Sequence, residues 1–581
     1  MINRLLAPAL AALTLSACAT IPEPVPARAA DPVTLRIIGL NDFHGNLEPI
    51  RRPVRVMDNA GEIQEVPAAG AAYLASAVTK YRAQDEHSMV VAAGDLIGAS
   101  PLASSIFLDE PAIGAMNRIG LAYNAVGNHE LDRGWQELLR MQNGGCTKYT
   151  LRDPCQVEPA FSGADFSFLA ANVITADGST LFPPYGIQRF GSGTGEITVA
   201  IIGLATVDTP TLVTPSGVDG LTFADEADTI NALVPELVAQ GVDAIVVSIH
   251  QGLYTETGYN DKSCGGVSGD LLAILARVDP RVDLVISGHT HVAYVCDYSA
   301  IDPSRKFLVT SAGYGGSMLT DIVLTVDPAA GDVIAAKANN VVIQSEARRP
   351  DGTLLPANPT FEKFAPDAGV AAYVGRYVDA SREAADRKVG VISGPARKPG
   401  PATEETRLGN LIADAQLAGT RDAGARIALM NNSGIRAGLD PADGTTVSYG
   451  DIYAIQPFGN LLITRSYTGA QLLALLEQQF DGEGFIQTFS ASEGITMSYD
   501  LRRPSGSRVV SVTLDGEPID PAATYRVTMN SFLAGGGDSF TVFEEGTDSV
   551  TGPVDLDAME EYLRAVRVRE LPPVGRITEI K

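Results

Sequence analysis

The sequence predicts an α/β layered domain followed by a smaller, second mixed domain. Three observations carry that reading. Short apolar runs rich in Val and Ile recur between residues 33 and 312, segments of helical period lie between them, and around residue 345 the periodicity lapses before it resumes.

Residues ahead of that pattern have their own grammar. MINRLLAPALAALTLSACAT sets one Arg at position 4 before a short apolar stretch ending at Ala17, which reads as a signal peptide over residues 1–17. Leu15-Ser16-Ala17-Cys18 resembles the bacterial lipobox, so Cys18 is the expected lipid anchor; a plain secretory signal with a chance cysteine is the simpler alternative. Several acyl chains on one residue would make a stable anchor where a single chain is marginal. Residues 18–32 are rich in Pro and Ala and read as an extended tether. The expectation is an exported protein, lipid-anchored on the periplasmic face, with Ala19 favouring the outer membrane.

The layered domain is expected over residues 33–345. Its strand candidates are LRIIGL (35–40), SMVVAAG (88–94), FSFLAANV (166–173), ITVAIIGLA (197–205), VDAIVVSI (242–249), VDLVISG (282–288) and FLVTSA (307–312). Such runs are short, β-branched and apolar on both sides, as strands buried on two faces must be. Helix candidates between them are residues 71–84, 227–240 and 269–278. Residues 346–366 gather Pro and charge and read as the inter-domain linker. The second domain, 367–581, opens on a helix over 371–386.

Composition excludes some functions. With 43 basic and 69 acidic residues the formal charge is −26, which argues against a nucleic-acid polymer as partner, because phosphate neutralisation needs clustered Lys and Arg. No apolar run is long enough to span a bilayer. Cys146, Cys155, Cys264 and Cys296 form an even set in an exported chain and favour two disulfides. Joining Cys146 to Cys155 and Cys264 to Cys296 is the simplest of three pairings; a four-thiolate zinc site is the alternative, and the spacings fit it poorly.

The chemistry lies in the histidines. Of six in the chain, five follow apolar strand candidates: His44 in Asn41-Asp42-Phe43-His44, His129 in Gly127-Asn128-His129-Glu130, His250, and His289 and His291 in Gly288-His289-Thr290-His291. Asp95 follows another. His87, in AQDEHS, reads as an exposed surface residue. In open α/β sheets ligands bind at the carboxyl ends of strands. Singly, a polar residue at a strand end is usually a cap; five such blocks in order indicate a metal site. Imidazole, carboxylate and one carboxamide suit borderline divalent ions such as Zn, Mn, Fe or Co. Asp42, His44, Asp95, Asn128, His250, His289 and His291 outnumber the ligands of one zinc ion, which implies two metals bridged by a carboxylate, with Asp95 the natural bridge.

The motif series DFH, GD, GNHE, H and GHTH resembles the calcineurin-like metallophosphoesterase superfamily, and the whole chain is similar to the bacterial 5′-nucleotidase/UDP-sugar hydrolase family. The resemblance implies a four-layer αββα N-terminal domain and a smaller α+β substrate-binding domain. It implies that Asp42, His44 and His291 hold one metal, that Asn128, His250 and His289 hold the other, and that Glu130 supports them without ligating. It implies a catalytic dyad of His129 and Asp132 beside a phosphorus atom attacked in line by a hydroxide held between the metals. Asp132 also reads plainly as a helix N-cap.

In the second domain Asn431-Asn432-Ser433-Gly434-Ile435-Arg436 resembles the family's NGGGIR block, with Asn432-Ser433 in place of two glycines. Gln456-Pro457-Phe458-Gly459-Asn460 and Asn530-Ser531-Phe532 through Gly537-Asp538 match its other two blocks. The resemblance implies that Phe458 and Phe532 sandwich the base, Asp538 accepts from ribose hydroxyls, Arg436 meets phosphate and Asn431 reaches the base. Without it, each of these residues also reads as core, turn or surface ion pair. Several relatives carry a further substrate Arg where this chain has Glu404; Arg407 is the nearest replacement.

The implied activity is hydrolysis of nucleoside 5′-monophosphates to nucleoside and phosphate, extending to UDP-sugars and nucleoside di- and triphosphates, with domain closure bringing metals and base contacts together. The alternatives are the related 2′,3′-cyclic-nucleotide phosphodiesterase/3′-nucleotidases, a thiosulfohydrolase, which the two Phe blocks argue against, and an inactive nucleotide-binding surface lipoprotein. The expected partners are a nucleotide and, through the anchor alone, a membrane.

Overall fold

Alternate residues of the strand Val33–Leu40 face two different cores, and that division builds the N-terminal domain. The structure is a computed structural model describing residues 31–150, 152–349, 352–400, 404–480 and 486–581; Cys18 and the expected signal segment lie outside the described residues. Leu35 and Ile37 point between two sheets, whereas Ile38 and Leu40 point at the helices outside. Ala244 and Val246 likewise face inward, while Ile245, Val247 and Ile249 meet the opposite helical layer. Full burial of such a side chain stabilises by roughly 1.5–3 kcal/mol, and the polar exceptions in these strands are paired, Arg36 with Asp85 and Asp321 and Ser248 with Ala92 O.

The first six-stranded sheet runs Asp332–Val342, Met318–Asp327, Val33–Leu40, His87–Ala92, Tyr123–Ala125 and Ser167–Leu169. Its last four strands are parallel, and the first two form an antiparallel edge hairpin. The second sheet runs Ala293–Asp297, Leu308–Ala312, Leu284–Ser287, Ala244–Ile249, Ile197–Leu204 and Tyr185–Phe190, parallel in the middle and antiparallel at both edges. Helices Ala71–Arg82 and Glu110–Ile119 cover one sheet and Glu226–Ala239 the other. These are the four αββα layers expected.

Two local expectations differ from the structure. The helix expected over 269–278 is confined to Leu271–Leu275, because Gly269 turns at φ +109° and cannot continue a helix. His87 is half-buried rather than exposed, opening a strand with its ring 5.8 Å from that of Phe190. The Pro-rich stretch after residue 345 is pinned to the first domain: Gln344 Nε2 donates to Phe361 O at 2.7 Å and its Oε1 accepts Asn358 N–H at 2.6 Å.

The helix Ala368–Asp386 is capped by Asp367, which accepts the Val370 N–H, and drives Val370, Tyr373, Val374 and Tyr377 into the first domain's helical core. Arg118 lies 3.6 Å over the Tyr373 ring. At its far end Arg387 O accepts Tyr449 N–H of the second domain at 2.8 Å, so one helix abuts both.

The second domain pairs a five-stranded sheet (Phe489–Ala491, Ile427–Asn431, Thr524–Asn530, Leu461–Thr468, Thr547–Val554) with a four-stranded one ending in Ile577–Glu579. Helices Arg407–Gly419 and Gly469–Gln478 pack on them. Both disulfides take the simplest pairing: Cys146–Cys155 with Cα atoms 5.7 Å apart and Cys264–Cys296 at 4.9 Å. No helix among the described residues is long and apolar enough to cross a membrane.

One half-buried acid gives the fold a pH dependence. Asp283 accepts the Ile245 N–H at 2.8 Å at the entry to a central strand. Burial pushes its pKa from 3.8 up to about 7, against the pull of that N–H. The folded chain therefore holds a proton that the unfolded chain releases, and this contribution to stability is lost as pH rises from about 4 through about 7. Asp283→Asn keeps the acceptor and should add on the order of 1 kcal/mol at pH 8 and nothing at pH 4, read from urea unfolding at both.

Candidate active site

Every predicted metal ligand emerges where a parallel strand ends. Asp42 and His44 follow Val33–Leu40, Asp95 follows His87–Ala92, Asn128 follows Tyr123–Ala125, His250 follows Ala244–Ile249, and His289 and His291 follow Leu284–Ser287. The two sheets thus empty their carboxyl ends into one place. Asp42, His44, Asp95, His289 and His291 all sit at positive φ, between 45° and 74°. Several non-glycine residues in that region are the signature of a site whose geometry is imposed by its surroundings.

The donors converge. Ligand atoms of Asp42, His44 and His291 lie within 4.8 Å of one another, as do those of Asp42, Asp95 and His250. Asp95 Oδ2 is 3.0 Å from His250 Nε2 and 3.5 Å from His44 Nε2, so it stands between the groups. Asp42 belongs to both groups, a sharing that the sequence pattern did not suggest. His250 Nε2 is 3.1 Å from Asn128 Oδ1, and the His289 ring stands edge-on to that of His250 at 5.1 Å.

This arrangement fits a divalent cation. His44 Nδ1 meets Gly98 O at 2.9 Å and His250 Nδ1 meets Ala93 O at 2.8 Å, which turns both Nε2 atoms toward the cluster, where a bound cation would take their lone pairs. His44 Nε2 and His291 Nε2 approach to 3.2 Å, close enough for both to reach one cation. Burial pushes His44 and His289 down to about 3, so both imidazoles are neutral at neutral pH, the form in which imidazole can ligate a metal. Burial opposes ionisation of Asp95, yet the His250 and His129 imidazoles hold it well below the ordinary carboxylate range.

Glu130 is the underpinning. Its Oε2 accepts Asp95 N–H at 2.8 Å and Gly127 N–H at 2.7 Å, and its Oε1 accepts Leu96 N–H at 2.8 Å, fastening two ligand loops together. His129 Nδ1 lies 2.9 Å from Asp132 Oδ2. Burial alone would depress the His129 pKa, but the Asp132 and Asp95 carboxylates more than offset it and the net shift is upward. Trp135 opens the next helix, its indole N–H donating to Asp219 O at 3.1 Å.

A cleft of about 360 Å³ joins this cluster to the second domain. Asp95, Asn128, His129, Asp132, His289 and His291 line one wall, and Asn431, Arg436, Phe458, Phe532 and Asp538 the other. The Phe458 ring stacks near His129, with centroids 5.9 Å apart and planes 16° from parallel, and Arg436 lies 6.0 Å from the Phe458 ring centre. Asp538 Oδ2 accepts from Asn431, Ser433 and Gln487. The loop following Asp208 reaches across so that Pro215 meets Gly535.

Sequence reasoning missed one cleft residue and one that backs it. Gln487 and Arg133 lie outside every motif; Arg133 lines the cleft and its guanidinium pairs with buried Asp109, which in turn accepts the Gly98 N–H at 3.2 Å. The sequence signal for Arg133 was its place one residue after the dyad. Glu404 is paired with Arg397, and Arg407 donates to Leu571 O at 2.8 Å, which accounts for both residues without the cleft.

Two sheets emptying a histidine–carboxylate cluster into a cleft define a metal-dependent phosphoesterase domain. The calcineurin-like phosphoesterase model matches residues 35–293, and the model for the 5′-nucleotidase C-terminal domain matches residues 388–545. The Bacillus subtilis endonuclease YhcR is 29% identical over 92% of this chain and 40% of its own length, so this chain spans less than half of that relative. A cell wall protein of Listeria monocytogenes is 29% identical over 95% of this chain and 70% of its own. The solved 5′-nucleotidase precursor of Thermus thermophilus superposes with a TM-score of 0.72 at 27% identity, covering 94% of this chain and 99% of that one. The chain belongs to the family that joins a calcineurin-like phosphoesterase domain to a 5′-nucleotidase C-terminal domain, a fold that implies divalent metal.

Proposed function

We propose that this protein hydrolyses nucleoside 5′-monophosphates to nucleoside and phosphate, with UDP-sugars and nucleoside di- and triphosphates as further substrates. The observation that carries this reading is a single cleft with a metal-ligand cluster on one wall and aromatic, carboxylate and guanidinium groups on the other. The solved relative named a 5′-nucleotidase precursor supports it. A relative is named an endonuclease, but a charge of −26 disfavours a polynucleotide here.

Asp42, His44, Asp95, Asn128, His250, His289 and His291 would hold two divalent ions. When bound, those ions supply Lewis acidity and an activated water for in-line displacement at phosphorus. His129, held by Asp132 and kept cationic, donates to the phosphoryl oxygen on which charge grows. Arg436 meets the phosphate from the opposite wall. Phe458 and Phe532 offer faces to the base, and a face accepts any base. The chain is further proposed to be exported and anchored through Cys18; two disulfides fit an oxidising compartment.

Protein freed of metal with EDTA should lose hydrolysis of AMP and recover it with Mn²⁺, Zn²⁺ or Co²⁺. AMP, UDP-glucose, 2′,3′-cyclic AMP and bis-p-nitrophenyl phosphate should be assayed side by side. Turnover of the cyclic nucleotide without turnover of AMP would overturn this reading.

A further inference from the structure

The segment that carries Asp95 continues into a bracket behind His44. Asp95 O accepts the His44 N–H and Leu96 O the Gly45 N–H, both at 2.9 Å. Gly98 O meets His44 Nδ1 at 2.9 Å and also accepts from Ser100 Oγ at 3.2 Å. Two pairs of residues bend this bracket through positive φ: Gly98 and Ala99 at +80° and +47°, Leu108 and Asp109 at +56° and +62°. Three of the four are not glycine, and such a conformation persists only where surrounding contacts over-determine it.

Asp109 joins the two bends. It opens the helix Glu110–Ile119, where a carboxylate ordinarily accepts from the first free backbone N–H groups, yet its side chain makes no such cap. It is 0% exposed and turns inward instead. Its Oδ2 accepts the Gly98 N–H at 3.2 Å and pairs with the Arg133 guanidinium, while its Oδ1 accepts Ser104 Oγ at 2.6 Å. Burial opposes ionisation, but Arg133 and Ser104 bring the net pKa below the ordinary carboxylate value, so the group is an anion. A buried ion pair seldom stabilises a fold more than apolar side chains would, so stability does not account for this one. Geometry does: Asp109 holds Gly98 from one side, and Gly98 meets His44 on the other.

We propose that Asp109 is a positioning residue for the metal ligand His44: it fixes the Gly98 turn, Gly98 O fixes the imidazole, and Arg133 holds the carboxylate in place from the cleft side. This rests on the metal reading and adds to it residues that touch no metal. An imidazole ligand is oriented by the partner of its other nitrogen, and loss of such support costs about 10–100-fold in metal affinity. Here that partner is a backbone carbonyl, so a side chain one step further back does the fixing. The turn is tightly enclosed. A Cβ on Gly45 would fall 2.6 Å from Ser100 Oγ and 2.7 Å from Ser104 Oγ, and one on Gly98 would fall 2.2 Å from His129 O. A displaced Gly98 would therefore disturb the His44 ring on one side or the His129 backbone on the other.

The test titrates the full chain, freed of metal with EDTA, with Co²⁺ and follows the visible absorption of the bound ion, which reports ligand geometry. His44→Ala identifies the absorption phase of the ion that His44 holds. Asp109→Asn suits a positive φ and keeps an acceptor for Gly98 while losing the charge. It should weaken that phase about tenfold and alter its spectrum. Arg133→Met should weaken it likewise, and Arg133→Lys, which keeps the cation, should restore most of the affinity. Ser104→Ala, a milder change, should weaken the same phase about threefold, and it decides the matter if the Asp109 variant does not fold. Thermal midpoints of the metal-free proteins measure the purely structural effect. A folded Asp109→Asn protein with unchanged Co²⁺ affinity and spectrum overturns this inference alone, whatever its stability; failing that variant, unchanged affinity in Ser104→Ala does so. An unaltered protein that takes up no Co²⁺ overturns the metal reading and this inference with it.

Discussion

Replacing His129 by Ala should leave a folded protein with its full metal content and a kcat for AMP lower by about 10²–10⁴. The reasoning is geometric. His129 Nδ1 is held by Asp132 at 2.9 Å, which fixes the ring, while the ring faces the cleft between the ligand cluster and Phe458. The backbone N–H of His129 donates to Asp95 Oδ1 at 2.9 Å and survives the substitution, so the neighbouring ligand stays in place. Asp132→Asn should cost less, because it keeps a hydrogen-bond partner for the ring and removes only the charge that favours the cation. Metal analysis beside steady-state kinetics decides it: a His129→Ala protein with normal kcat would remove the residue from the chemistry, and one stripped of metal would make it structural.

The second large effect should come from a residue that touches no substrate. A Cβ added at Gly127 would fall 2.2 Å from Asp95 Oδ1, 2.6 Å from Asp95 N and 2.8 Å from Glu130 Oε2. Nothing in that corner can yield, since Glu130 is clamped by three backbone N–H groups and Asp95 is buried among the ligands. Gly127→Ala should therefore displace Asp95, abolish retention of metal through gel filtration and depress turnover by at least 10², with loss of roughly 1–3 kcal/mol of stability from overpacking. Full activity with bound metal in that variant would show that Asp95 does not need its present position.

The sequence was most legible where one periodicity governed each residue. Strands such as Ala244–Ile249 are apolar on both faces because both faces are covered, and polar residues directly after such strands could only be the mouth of the sheet. That logic placed all the candidate ligands in one cluster. It failed where side chains from distant segments decide the outcome. Gln487 follows no motif and reaches Asp538 only because two segments 51 residues apart fold together. His87 looked exposed from its charged neighbours, yet the strand that begins there carries it against Phe190. Gln344 also ties the Pro-rich stretch after residue 345 to the first domain, through backbone groups that leave no pattern in composition.

Trp135 is the sole tryptophan in 581 residues, and its position gives the molecule a built-in optical probe. The indole is tied to Asp219 just beyond the loop whose Pro215 meets the second domain at Gly535, and its helix begins three residues after Asp132. Emission from a single fluorophore needs no deconvolution. A nucleotide that draws the two walls together, or a metal that stiffens the loops behind them, should alter the polarity around one ring and nowhere else. Titration of an unlabelled protein could then report both events on a stopped-flow timescale, separating the closing of the cleft from the release of product.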